Sequence, residues 1–163
     1  MAISARGQDT LWTRLVGTSG GDSGNSVSLD TTSGAVYVAG RASASLDGET
    51  YVGGNDIFVM KYYANGTRIW TRMAGTSLTD IANGVAVDSN SGAVYVTGYT
   101  QATLHGQTFV GNNDFFLIKY ASNGTRVWTR MVGTTGDDRG LSVSVDVSSG
   151  VVYAAGYASG TLH

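Results

Sequence analysis

Hydrophobic and polar positions come in short bursts along this chain, and no stretch carries apolar residues at helical spacing over three turns. The unit from Ile81 to Asp138 shows the pattern. Asn83-Gly84-Val85-Ala86-Val87-Asp88 is an apolar run closed by a turn former, and Ser89-Asn90-Ser91-Gly92 is the turn. Ala93-Val94-Tyr95-Val96-Thr97-Gly98 follows, rich in β-branched and aromatic residues. A longer polar link, Tyr99 to Asn113, leads to Asp114–Tyr120; Ala121-Ser122-Asn123-Gly124 then turns into Thr125–Val132. Such runs between Ser-Gly and Asn-Gly turns predict antiparallel hairpins. Each unit is four strands, A to D, in a meander.

The unit repeats. Asn65-Gly66-Thr67-Arg68-Ile69-Trp70-Thr71-Arg72 returns as Asn123-Gly124-Thr125-Arg126-Val127-Trp128-Thr129-Arg130, and a worn copy, Thr10–Arg14, stands near the start. Trp12, Trp70 and Trp128 are 58 residues apart. The earlier unit predicts strands at Ser26–Asp30, Ala35–Gly40, Asp56–Tyr62 and Thr67–Met73. A third unit has strand A at Leu141–Asp146 and strand B at Val151–Gly156; residues 9–17 form a lone strand D. Set two periods on, Met1–Ala5 falls on Leu117–Ala121, the second half of a strand C. The divisions are 1–17, 18–75, 76–133 and 134–163 within one module.

Strands A, B and C are apolar on both faces, as in sheets sandwiched between sheets. Strand D is more polar, as suits an outer edge. A four-stranded sheet repeating at this length predicts an all-β propeller of antiparallel blades, two complete and two half-built. Twenty-four glycines with no proline fit many turns and uninterrupted ladders. A formal net charge of −2 with no basic patch argues against nucleic acid. With no cysteine, disulfides and thiolate metal sites are excluded. No apolar run is long enough to insert in a membrane, and Met1–Ala5 is too short for a secretory signal.

The runs Asp88–Thr100, Gly111–Tyr120 and Asn123–Trp128 resemble the bacterial SBBP (beta-propeller) repeat, and the resemblance covers nearly the whole chain. It implies a propeller from an exported or cell-surface setting, with no assigned activity.

Half-blades leave open strand edges beside apolar faces. The predicted partner is another copy, meeting head to tail: a homodimer of six blades, with a trimer or an open assembly as alternatives. The expected interface residues are Leu11, Trp12, Thr13, Arg14, Val152, Tyr153 and Ala154.

In a meander the D–A and B–C links share one face. Differences between units concentrate there, giving Arg41, Glu49, Tyr99, Gln107, Asp137 and Arg139 as a candidate face for a protein or glycan ligand. A carbohydrate-binding lectin with repeated sites on that face is the alternative to a scaffold. The tryptophans could stack on sugars, but their repetition predicts inter-blade packing instead. Asp22, Asp80 and Asp138 share one loop position and Asp30, Asp88 and Asp146 another; all read as turn formers. Asp137 and Asp138 are the nearest approach to a calcium site, and two carboxylates beside Arg139 fall short of six oxygens. His105 and His163 share a position and read as solvated. Polar residues that recur with the blade do not assemble a catalytic pair, and no nucleophile elbow, P-loop or zinc motif is present. The chain is therefore expected to be non-enzymatic and free of cofactors.

Overall fold

The computed structural model describes residues 2–6 and 9–161, with side chains from Leu11 onward. His163 lies outside the described residues. The described elements are all strands: β1 Ala2–Arg6, β2 Asp9–Arg14, β3 Ser23–Leu29, β4 Val36–Ala42, β5 Asp56–Tyr62, β6 Arg68–Ala74, β7 Asp80–Asp88, β8 Ala93–Thr100, β9 Asp114–Tyr120, β10 Arg126–Val132, β11 Asp138–Asp146 and β12 Val151–Ala158. They form antiparallel sheets in chain order. Two sheets have four strands, β3-β4-β5-β6 and β7-β8-β9-β10, and two have two, β1-β2 and β11-β12.

The sheets stack face to face. β3 lies against β7, and β7 against β11. Tyr37, Ala39, Ile57, Val59 and Trp70 of the first four-stranded sheet share a core with Val94, Val96, Phe116, Ile118 and Tyr120 of the second. On the first sheet's other face, Val38, Phe58, Met60 and Tyr62 gather with Leu46, Val16 and Met73. Trp12 of β2 stacks there on Tyr62, with ring centroids 6.2 Å apart. Both sheet faces thus bury apolar side chains, which is why the strands lack a simple polar–apolar alternation.

The inner strands begin earlier than the sequence predicts, at Ser23, Asp80 and Asp138, and β8 runs past Gly98 to Thr100. The cause is a bulge. The ladders skip Asn25, Asn83 and Leu141, opposite Gly40, Gly98 and Gly156. A glycine there marks a bulge, not a strand end. The extra residue is re-aimed at the next sheet: Asn25 Nδ2 donates to Ala82 O and Asn83 Nδ2 to Gly140 O, both at 2.8 Å. Ser26 and Ser28 hydroxyls accept the amides of Val85 (3.1 Å) and Val87 (3.2 Å) across the same boundary.

One sequence expectation is corrected in β1. Ser4 pairs with Trp12, whereas Lys119 pairs with Trp128. Ser4 therefore stands where Lys119 does, and Ala2, not Met1, is the counterpart of Leu117. The β1–β2 turn is one residue shorter than its relatives, a deletion that alignment by period alone does not detect.

Candidate interaction surfaces

The outer strands tie each sheet to the next. Trp12 Nε1 donates to Ala64 O (2.8 Å) and Arg14 Nε to Gly66 O (2.9 Å). One sheet on, Trp70 Nε1 donates to Ser122 O (3.1 Å) and Arg72 Nε to Gly124 O (3.0 Å). Trp12 and Trp70 are buried, so neither offers a platform to a sugar. Arg72 and Arg130 lie 5.7 Å over the rings of Trp70 and Trp128.

The links joining β4 to β5 and β6 to β7 meet on one face. Asn55 bridges to Thr79, and Asn113 to Asp137. The six candidate residues of that face separate into two groups. Tyr99, Asp137 and Arg139 converge where the second sheet meets β11–β12. Arg139 lies 4.3 Å over the Tyr99 ring and its Nε donates to Asp137 Oδ1 at 2.8 Å. Asn113 Nδ2 also donates to Asp137 Oδ1 (2.6 Å), and the Tyr157 hydroxyl donates to Oδ2 (2.9 Å). The Arg139 hydrogen bond holds the Asp137 carboxyl below the usual range. Arg41 stands apart, its Nη1 donating to Asn55 Oδ1 at 2.9 Å.

Glu49 and Gln107 do not join this group. Their links fold back over the outer strands, and Glu49 lies 3.3 Å from Arg72 Nη1. Asp47 pairs with Arg68 at 2.6 Å. Its counterpart His105 is not merely solvated: Nδ1 lies 2.8 Å from the Thr129 hydroxyl, and burial, aided by Arg126, pushes the imidazole down to about 4. The fold-back rests on left-handed backbone at Asp47 (φ 55°) and His105 (φ 52°), each followed by a left-handed glycine; Asp47-Gly48 is a recognisable turn signal, but it does not tell which surface the link covers.

The carboxylates serve turns. Asp88 accepts the Asn90 amide (3.0 Å) and the Ser91 hydroxyl, which holds it low. Asp146, engaged by the Ser148 and Ser149 hydroxyls, falls to about 2. Asp138 accepts the Thr134 amide (2.5 Å) and hydroxyl together with the Ser159 amide (3.2 Å). The oxygens of Asp137 and Asp138 are thus already occupied by protein donors. Among the described residues no three His, Cys, Asp or Glu side chains cluster as a metal site.

Asp80 differs. It is fully buried, accepts the Thr76 amide (2.6 Å) and hydroxyl (2.8 Å) at Oδ2, and leaves Oδ1 without a hydrogen-bond partner. Burial pushes its carboxyl above the usual range despite the Thr100 and Thr76 groups that pull it down, and the Asp56 charge pushes the same way as burial. The folded state therefore holds this proton more tightly than the unfolded chain. Stability is gained as pH falls through the raised value, and each tenfold difference in proton affinity between the two states is worth about 1.4 kcal/mol. Asp80→Asn should raise stability at pH 7 and remove that pH-dependent gain. Urea unfolding of both proteins at several pH values measures it; a difference that stays constant with pH refutes the assignment.

Exposure of apolar side chains concentrates at the two ends of the stack. Val27 and Leu29 of β3 are 66% and 54% exposed, whereas their counterparts Val85 and Val87 on β7 are buried. At the other end, Leu141, Val151 and Tyr153 are exposed. Of the interface residues expected from sequence, Val152 is half-buried, and Tyr153 and Ala154 are exposed on β12. Leu11, Thr13 and Arg14 are exposed on β2, while Trp12 is already used within the chain. The four-stranded sheets show that a β12 edge would meet a third strand, as β8 meets β9, and not an outer one.

The model of the SBBP family, a beta-propeller repeat, matches residues 11–47 and 69–104. Each match begins on an outer strand and runs through the first two strands of the next sheet, so it spans a boundary of the kind described above. An uncharacterised WD repeat-containing protein of Acanthamoeba polyphaga mimivirus is 29% identical over 106 residues, 58% of this chain and 8% of that protein. The chain therefore spans less than a tenth of that relative's length. Two matches in the same phase, laid on antiparallel four-stranded sheets, support the SBBP repeat family and make this a beta-propeller repeat protein.

Proposed function

We propose that the chain is a non-enzymatic interaction scaffold that assembles with its own copies by sharing a split blade. The observation that carries the reading is the pair of incomplete sheets. β11–β12 supplies the two inner strands of a blade and β1–β2 the two outer ones, at opposite ends of the stack. Each leaves an open edge beside exposed apolar side chains, the arrangement that favours pairing with another chain. A head-to-tail contact either closes or propagates. Two copies give six blades, inside the usual range of about 4–8, and a homodimer is the form proposed. The similarity to a WD repeat-containing protein supports the interaction part of the reading. An exported or cell-surface setting rests on the family resemblance alone.

Sedimentation of the 163-residue chain over a wide concentration range tests assembly. The expected species is a dimer that dissociates on dilution. A single 16.9 kDa species at every concentration, with full β-sheet circular dichroism, would remove the proposal.

A further inference from the structure

Tyr37, Tyr95 and Tyr153 occupy one position of the repeat. Tyr37 is fully buried with its ring 5.9 Å from Trp70, and Tyr95 is buried 6.1 Å from Trp128. Tyr153 is 63% exposed. The tryptophan of the same phase is Trp12, at the other end of the stack.

A receptor for that ring lies beside Trp12. Val38, Phe58, Met60 and Tyr62 are the counterparts of Val96, Phe116, Ile118 and Tyr120. The latter four are covered by the Tyr37 face of the preceding blade. The former line a cavity of about 350 Å³. A second opening, about 250 Å³, lies at Phe115, Val132 and Tyr157, beside β12.

The backbone supplies a register. β8 meets β9 with Val94 opposite Tyr120 and Tyr95 opposite Lys119. Val152 and Tyr153 are the β12 counterparts of Val94 and Tyr95. Ala5 and Ser4 hold the β1 positions of Tyr120 and Lys119.

We propose that β12 of one copy adds to the open edge of β1 of a second copy, with Tyr153 opposite Ser4 and Val152 opposite Ala5. Its Tyr153 ring enters the cavity over the first blade, against Trp12. The inference rests on the self-assembly reading and names the contact that executes it. A single docking event fills both openings: Tyr153 covers Phe58 and Met60 of the second copy, whose β1 closes the space beside Phe115. Toward the inner strands, Ser142 meets Val27 of the second copy as Ser26 meets Val85 within the chain. The Tyr37 hydroxyl is buried without a partner, so the ring and not the hydroxyl is the binding element.

The chain has no cysteine, which permits directed cross-linking. Ser142→Cys and Val27→Cys chains, mixed and oxidised, should form a disulfide dimer that neither chain forms alone. Tyr153→Ala should raise the dissociation constant at least about tenfold, as expected of a buried aromatic anchor. Tyr153→Phe should leave it within about twofold, the hydroxyl having no partner to lose. Circular dichroism of all variants should match the wild type. Wild-type assembly that Tyr153→Ala leaves unchanged, or Ser142→Cys chains that cross-link to themselves, would overturn this docking while leaving self-assembly standing. A wild type that never assembles overturns the proposed function and this contact with it.

Discussion

Gly98→Ala should abolish folding of the second blade. A Cβ at this position would sit 1.8 Å from Ile81 O and 2.9 Å from Ala82 Cα. Both atoms belong to the backbone of the paired strand, pinned by the bulge at Asn83. Neither can rotate away as a side-chain tip would. Separating the strands would also pull Asn83 from Gly140 O. The expected loss exceeds ~4 kcal/mol, a large part of the ~5–15 kcal/mol available to a domain. Gly21→Ala is the control, since nothing lies within 4 Å of its added methyl; it should change stability by under about 0.5 kcal/mol. Urea unfolding of the two variants decides the matter. A Gly98→Ala protein within about 1 kcal/mol of wild type would show that the strands yield where the geometry says they cannot.

Trp70→Ala should cost about 3–5 kcal/mol, the range for deleting a buried aromatic. Three contacts go at once: the hydrogen bond to Ser122 O, the edge contact with Tyr37 and the Arg72 guanidinium over the ring. Trp70→Phe keeps an aromatic ring and leaves the Ser122 carbonyl to Lys61 Nζ, 3.2 Å away, and should cost less. Trp128→Ala is the informative comparison. Trp128 is only half-buried, so its loss should be milder in dilute, dissociated chains and should approach the Trp70 cost as concentration drives assembly. Equal costs at every concentration would mean that the two tryptophans do not differ in neighbours.

Much of this fold can be read from the residues because each blade needs the same side chains at the same offsets. Trp12, Trp70 and Trp128 locate the outer strands without reference to coordinates. Asp114–Tyr120 and Asp56–Tyr62 match their strands at both ends, since polar turns bracket them. The bulges are harder to see. Gly98 looks like punctuation in a sequence, and only pairing shows that the ladder runs through it to Thr100. The candidate face is legible only in part. Tyr99, Asp137 and Arg139 meet because their strands are neighbours, whereas Glu49 and Gln107 leave with links whose path depends on left-handed turns. The shortened β1–β2 turn is hidden for a different reason: a one-residue deletion shifts a register without disturbing the spacing of any tryptophan.

The tryptophan and asparagine side chains that tie one blade to the next all reach the same way along the chain. Trp12 reaches Ala64, Asn25 reaches Ala82, Trp70 reaches Ser122 and Asn83 reaches Gly140. In every case the donor side chain comes first in the chain and its carbonyl follows roughly one unit later. A polypeptide leaving the ribosome therefore has its earlier donors waiting for acceptors not yet synthesised. Each newly made unit secures the one before it, and the most recent is always the least anchored.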